Sequence, residues 1–226
     1  NPLIVGSCGL TKTAESIRKL AEHGAGAVVL KSLFEEQIMH DIQKTVEKDN
    51  ANPYSQPYDY ISNYSRHHHI DEYLNLIRKC KRSVHIPVMA SINCVTAEEW
   101  TSFATSIQQA GADAIQLNIF VMPSDANHTA EQNEKVYFDI LEDVLRRVTI
   151  PVSIKISYYF SAMGKTVQKF AWAGAQGIVL FNRFCSPDID IKEQKVVTSN
   201  IFSSPGEIAL PLRWIAMLSD RVQCDF

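Results

Sequence analysis

The stretch Gln109-Ala-Gly-Ala-Asp-Ala-Ile-Gln-Leu-Asn118 decides the fold. It opens on the glycine of a helix end and runs into a short apolar segment of strand type from Ala114 to Ile119. That segment delivers an amide, Asn118, at its carboxyl end. Trp172-Ala-Gly-Ala-Gln-Gly-Ile-Val-Leu-Phe-Asn182 repeats the pattern. So does the segment just upstream, where His85-Ile-Pro-Val-Met-Ala-Ser-Ile-Asn93 is echoed by Thr149-Ile-Pro-Val-Ser-Ile-Lys-Ile-Ser157. Gly111 and Gly174 lie 63 positions apart, and Pro87 and Pro151 lie 64 apart. A period of two units gives about 30 residues for each strand and its helix, the size of a βαβ step.

Outward from this centre the alternation continues. Leu3 to Val5 reads as a strand, and Thr11 or Thr13 can cap a helix carrying Ile17, Leu20 and Ala21 at helical spacing. Ala27 to Leu30 reads as a second strand, presenting Lys31 and Ser32 at its exit. From residue 34 to about 65 the periodicity degrades, an excursion of the kind that carries function or a small subdomain. A helix through Ile70, Tyr73, Leu74 and Ile77 resumes the pattern. A second excursion, about 183–205, contains a β-branched run expected to form a hairpin over the barrel mouth. Ser203-Ser204-Pro205-Gly206 then opens a last helix.

Strands are thus expected near residues 3, 27, 87, 114, 151, 177 and 222. They are apolar almost throughout, which implies a parallel sheet covered on both faces. The expectation is an α/β fold, a (β/α)8 TIM barrel in a single domain over residues 1–226, with its final strand and helix portion beyond Phe226. A seven-stranded, doubly wound open sheet is the alternative.

Composition narrows the partners. The chain is 46% hydrophobic and 21% charged, ordinary for a soluble globular protein. Its net charge of −3 with no basic block argues against nucleic acid and acidic membrane surfaces. No apolar run reaches the roughly 18 residues of a membrane span. Five scattered cysteines without Cys-x-x-Cys suit a reducing compartment, so a cytoplasmic protein is expected. His67-His68-His69 offers no metal site, because consecutive side chains do not converge on one point. A loop edge near the substrate opening is the simpler role for them. Phe170 and Trp172 read as helix packing.

The strand exits carry Ser7, Lys31, Asn93, Asn118, Lys155 and Asn182. Gathered at one end of a parallel barrel, two lysines and three amides make a donor-rich pocket. Such a pocket suits a ligand with many carbonyl or ring-nitrogen acceptors and an anionic state.

Here a family resemblance enters. Asn1-Pro-Leu-Ile-Val-Gly-Ser7-Cys-Gly9, with Val29-Leu-Lys31-Ser32, resembles the opening of the dihydroorotate dehydrogenases, FMN enzymes built on a (β/α)8 barrel. Ile86-Pro-Val-Met-Ala-Ser-Ile92, Leu117-Asn118 and Pro151-Val-Ser-Ile-Lys155 follow in matching order, as does Phe202-Ser-Ser-Pro205 through Leu212-Arg213. The resemblance implies FMN at the barrel mouth, touched by Ser7, Lys31, Ser32, Asn93, Asn118 and Lys155. It implies a substrate held by Asn63, Asn118 and Asn182, with Lys31 also serving catalysis. The implied reaction passes a hydride from dihydroorotate to the flavin while a base takes a proton from the adjacent carbon, a step of pyrimidine biosynthesis. A homodimer without membrane attachment is the expected assembly.

The chain departs from that pattern in two places. The family's Asn-x-Ser-Cys-Pro-Asn puts a base three residues after the asparagine, whereas this chain reads Asn118-Ile-Phe-Val-Met-Pro-Ser-Asp125. Val121 or, with one insertion, Met122 takes the base position, and neither can accept a proton. Ser124 is the candidate base, with Asp125 and His128 as neighbours. Ser203-Ser204-Pro205 also lacks the glycines expected near the flavin phosphate. The alternatives are a flavin enzyme acting on another cyclic amide or enone, and a non-catalytic degenerate barrel.

Overall fold

The structure is a computed structural model that describes residues 2–34, 58–93, 97–183, 187–198 and 202–226, without the side chains of 58–67, 97–102 and 198. Strands and helices alternate from the start. They are β1 (Ile4–Val5), α1 (Ala14–Glu22), β2 (Ala27–Val29), β3 (Leu33–Phe34), α2 (Tyr58–Ser83), β4 (Val88–Asn93) and α3 (Ala97–Gln109). There follow β5 (Ala114–Asn118), α4 (Ala130–Leu145), β6 (Val152–Ile156), α5 (Met163–Trp172), β7 (Gly177–Leu180), the hairpin β8 (Pro187–Asp190) and β9 (Lys195–Thr198), and α6 (Ala209–Leu218).

The main sheet runs β1-β2-β4-β5-β6-β7, with β3 also on β4, and every pairing in it is parallel. Past α6, where a strand near residue 222 is expected, Asp225 makes a single parallel bridge to Gly177 at the β7 edge. The architecture is the curled β/α half of a TIM barrel, in agreement with the expected fold class. The hairpin forms as expected, its strands pairing antiparallel with each other.

The repeated motif has a physical meaning at the amino ends of the strands. Gly24, Gly111 and Gly174 end α1, α3 and α5 with φ of 92°, 95° and 107°, a backbone open to glycine and strained for other residues. Two residues past the second and third glycines, Asp113 and Gln176 accept the amide hydrogen of the residue after Ile-Pro on the neighbouring strand. Val88 N–H donates to Asp113 Oδ2 at 2.7 Å, and Val152 N–H to Gln176 Oε1 at 2.8 Å. Asp113 also holds Lys81 of α2 at 2.6 Å. The echo in sequence is therefore a clamp used twice at the bottom of the sheet.

The two faces of the sheet differ. Val88, Ala90, Ile92, Ile115, Leu117, Val152, Ile154, Ile156 and Ile178 pack with the helices, where Ile77, Ile107, Leu141 and Phe170 are fully buried. By alternation the inner face carries Ser91 and Asn93, Gln116 and Asn118, Ser153 and Lys155. Three expectations need correction. Residues 58–65 belong to α2, so the first excursion ends earlier than the periodicity suggests. The histidine triplet lies inside α2 and not on a loop, with His68 and His69 approaching Glu72 at 3.5 and 3.9 Å. Trp172 is 68% exposed at the end of α5, under the Lys165 ammonium, while Phe170 is fully buried as expected.

Candidate functional site

Register brings the strand-exit residues together. Asn118 lies opposite Lys155, Lys155 lies opposite Val179, and Ile92 pairs Leu117, which sets Asn93 beside Asn118. Asn182, just past β7, reaches across the β6 exit and donates from Nδ2 to Asn118 Oδ1 at 2.7 Å. The two amides thus flank Lys155. Lys31 completes the group from the other side, its ammonium 5.0 Å from the centre of the Phe34 ring. Burial pushes the Lys155 ammonium below the ordinary lysine range, and the nearby Lys31 charge adds to the effect. Among the described residues neither lysine is paired with a carboxylate. Two cations facing one space without acids hold a positive potential that an anionic group would satisfy.

Below them runs a chain of hydroxyls. Ser7 Oγ lies 3.0 Å from Ser32 Oγ, and Ser32 Oγ lies 2.7 Å from the buried Ser91 Oγ. Gln116 Nε2 donates to Ser91 Oγ at 3.3 Å. Ser91 and Gln116 are not among the expected site residues, although they lie two residues before Asn93 and Asn118 and so share their face.

Of the expected site residues, the structure assembles Ser7, Lys31, Ser32, Asn93, Asn118, Lys155 and Asn182 on the carboxyl ends of the strands. Asn63 lies in α2 with its side chain outside the described residues. Ser124 sits on the exposed loop after β5, where its N–H donates to Met122 O at 2.8 Å. Its hydroxyl meets no histidine or carboxylate among the described residues. Asp125 accepts from Asn127 N–H at 2.9 Å, which holds its carboxyl below the usual range. The root of this loop is fixed by Tyr137 of α4, whose buried phenol accepts Val121 N–H at 3.0 Å and bonds Ser157 past β6.

Beside Asn182 opens a cleft of about 800 Å³ lined by Tyr158, Tyr159, Phe181, Arg183 and Arg213. Arg183 is tied to Glu207 at 2.7 Å, which draws the turn before α6 toward the exit of β7.

A family model described as dihydroorotate dehydrogenase matches residues 1–209. The chain belongs to the dihydroorotate dehydrogenase family. This is a family of oxidoreductases acting on CH–CH bonds, as the motifs imply. A dihydroorotate dehydrogenase B (NAD(+)) catalytic subunit of Thermoplasma volcanium is 28% identical over 95% of this chain and 70% of its own length. The protein of the same description from Methanocaldococcus jannaschii is 26% identical over 89% of this chain and 65% of its own length. That of Pyrococcus abyssi is 28% identical over 98% and 73%. The chain therefore spans roughly two thirds of these dihydroorotate dehydrogenases. Among solved structures, a dihydrodipicolinate synthase of Acinetobacter baumannii aligns with 97% of this chain and 61% of its own, with a TM-score of 0.50 and 15% identity. That likeness speaks to the barrel fold alone.

Proposed function

We propose that this chain carries an FMN site of the dihydroorotate dehydrogenase type and oxidises dihydroorotate to orotate in pyrimidine biosynthesis. The observation that carries the reading is Lys155. It is a largely buried lysine with no acid beside it among the described residues, set between Asn118 and Asn182 and faced by Lys31. The donor set fits FMN, whose ring is rich in carbonyl and nitrogen acceptors and anionic when reduced. Ser7, Lys31, Ser32, Asn93, Asn118 and Lys155 would hold it. When bound, FMN supplies a two-electron acceptor for the CH–CH bond.

The chain's own residues then have distinct tasks. Lys155 and Lys31 hold positive charge where negative charge collects, from a position already desolvated and costing no reorganisation. Asn118 and Asn182, locked to each other, present one free edge each to the amides and carboxylate of the substrate ring. Ser124 is the proposed proton acceptor, with activation left to its surroundings in the closed site. The test is purification of the full-length protein. It should be yellow, and dihydroorotate should bleach the flavin. A colourless protein that refuses added FMN overturns the cofactor assignment.

One observation favours a second reading. The loop after Asn118 offers Val121 and Met122 at the base positions, and Ser124 is exposed with no basic partner among the described residues. An enzyme that reduces another cyclic amide or enone needs no base at that place. Under this reading dihydroorotate leaves the flavin spectrum unchanged, while a panel of such substrates reoxidises the reduced protein.

A further inference from the structure

We propose that Tyr73 of α2 is a positioning residue, whose phenol props open the sheet beside Lys31 and thereby aims that lysine into the strand-exit cluster. Val28 and Val29 pair with Val88 and Met89, yet Leu33 and Phe34 pair with Ile92 and Asn93. Three residues, Leu30, Lys31 and Ser32, thus stand against two, Ala90 and Ser91. One extra residue is a β-bulge, the device that re-aims a side chain beside a site. Lys31 is in the middle of it.

A bulge breaks the ladder, and the amide hydrogens it frees find other acceptors. Leu30 N–H still donates to Met89 O at 2.9 Å, the last regular rung on this side. Lys31 N–H turns to Thr11 O at 3.1 Å, and Ser32 N–H to Ser7 Oγ at 2.9 Å. On the opposite strand Ser91 meets Tyr73, whose phenol accepts Ser91 N–H at 2.8 Å and donates to Ser91 O at 2.9 Å. The phenol is 6% exposed, and burial raises its ionisation far above the ordinary tyrosine range, so it keeps the proton it donates. Ser32 Oγ on Ser91 Oγ, at 2.7 Å, pins the bulge a second time. Without the hydroxyl, Ser91 N–H would have to recover its acceptor from the neighbouring strand. That closes the bulge and turns Lys31 away from Lys155.

This inference rests on the reading that Lys31 belongs to the site, but its test does not need the flavin. In the full-length protein the pH dependence of Lys155 acylation by acetic anhydride is followed by peptide mass spectrometry. Lys31 is the charged group acting on Lys155 among the described residues, and its neighbours at that level, Asn118, Val179 and Asn182, do not titrate. In Tyr73→Phe the Lys155 profile should move up in pH, because the Lys31 charge has withdrawn. Phe103→Leu removes the ring packed against Tyr73, centroids 6.0 Å apart, and leaves the hydroxyl. It should cost thermal stability and leave the profile in place. If Tyr73→Phe fails to fold, Ser32→Ala releases the second pin and should move the profile in the same direction by less. A Tyr73→Phe or Ser32→Ala profile that superimposes on the unmodified protein overturns the proposal, as does an equal shift in Phe103→Leu. A protein that refuses FMN yet shows the Tyr73→Phe shift overturns the functional reading and leaves this one standing.

Discussion

Lys155 works against the fold that holds it. Burial and the Lys31 charge both lower its proton affinity, so the unfolded chain binds a proton more tightly than the folded one. Stability contributed by this group therefore rises with pH from the lowered folded value up to the ordinary lysine value, and is at its worst below that window. Affinity for an anionic ligand has the opposite slope, since the ammonium is lost as pH rises through the same lowered value. Lys155→Met should raise the melting temperature by a few degrees at neutral pH, measured calorimetrically, and abolish FMN retention in the same sample. A variant that melts lower and still binds FMN contradicts the assignment. Ser124 gives the second test at this scale. If it accepts the substrate proton, Ser124→Ala should slow flavin reduction by about a hundredfold or more in stopped-flow traces, the usual size of a general-base effect. An unchanged rate moves the base elsewhere and favours the enone reading.

At the scale of elements, the helix-ending glycines separate two costs that usually come together. Gly111→Ala meets nothing closer than Lys81 Cγ at 3.9 Å, an ordinary van der Waals contact, so only the backbone strain of a φ of 95° is felt. Gly174→Ala meets Leu145 Cδ1 at 3.2 Å as well. We expect about 1–2 kcal/mol from the strain in the first and a larger loss in the second, read from urea unfolding of each. These turns were legible in the sequence because Ala-Gly-Ala is punctuation with a mechanism, and the strands because buried parallel runs are nearly all apolar. The strand-exit list was legible for the same reason, since polar residues stand out where such runs end. The bulge at Lys31 was not legible. It is set by a tyrosine 42 residues away on a helix, at a position that reads as one more apolar contact. The start of α2 was hidden too, because residues 58–66 carry few apolar side chains at helical spacing. Trp172 departs from a sound rule, its ring lying under the Lys165 ammonium at the surface and not entering the core.

At the scale of the molecule, the proposed FMN site draws one or two residues from each of β1, β2, β4, β5 and β6 or their exits, so no single unit of the repeat owns it. A ligand there should stabilise the barrel as a whole. At a hundredfold excess over its dissociation constant, FMN should add about 2.7 kcal/mol to the stability of the full-length protein, seen as a shift in melting temperature that Lys155→Met abolishes. A shift retained in that variant would place the flavin elsewhere. Arg183 and Glu207 bear on the same scale, because their ion pair couples the β7 exit to the entry of α6 across the cleft.

The doubled clamp of Asp113 and Gln176 has a consequence for how such a chain can change. β4 and β6 are each fastened at the amino end by the residue ahead of the neighbouring strand, whereas the proposed site lies at the carboxyl ends, several residues away. A substitution after Asn118 leaves Asp113, the clamp ahead of β5, untouched. The loop that follows is therefore free to be rewritten, and a lineage could exchange one substrate for another there without first loosening its frame. Val121 and Met122, where a proton acceptor is expected, are the kind of rewriting such a frame permits.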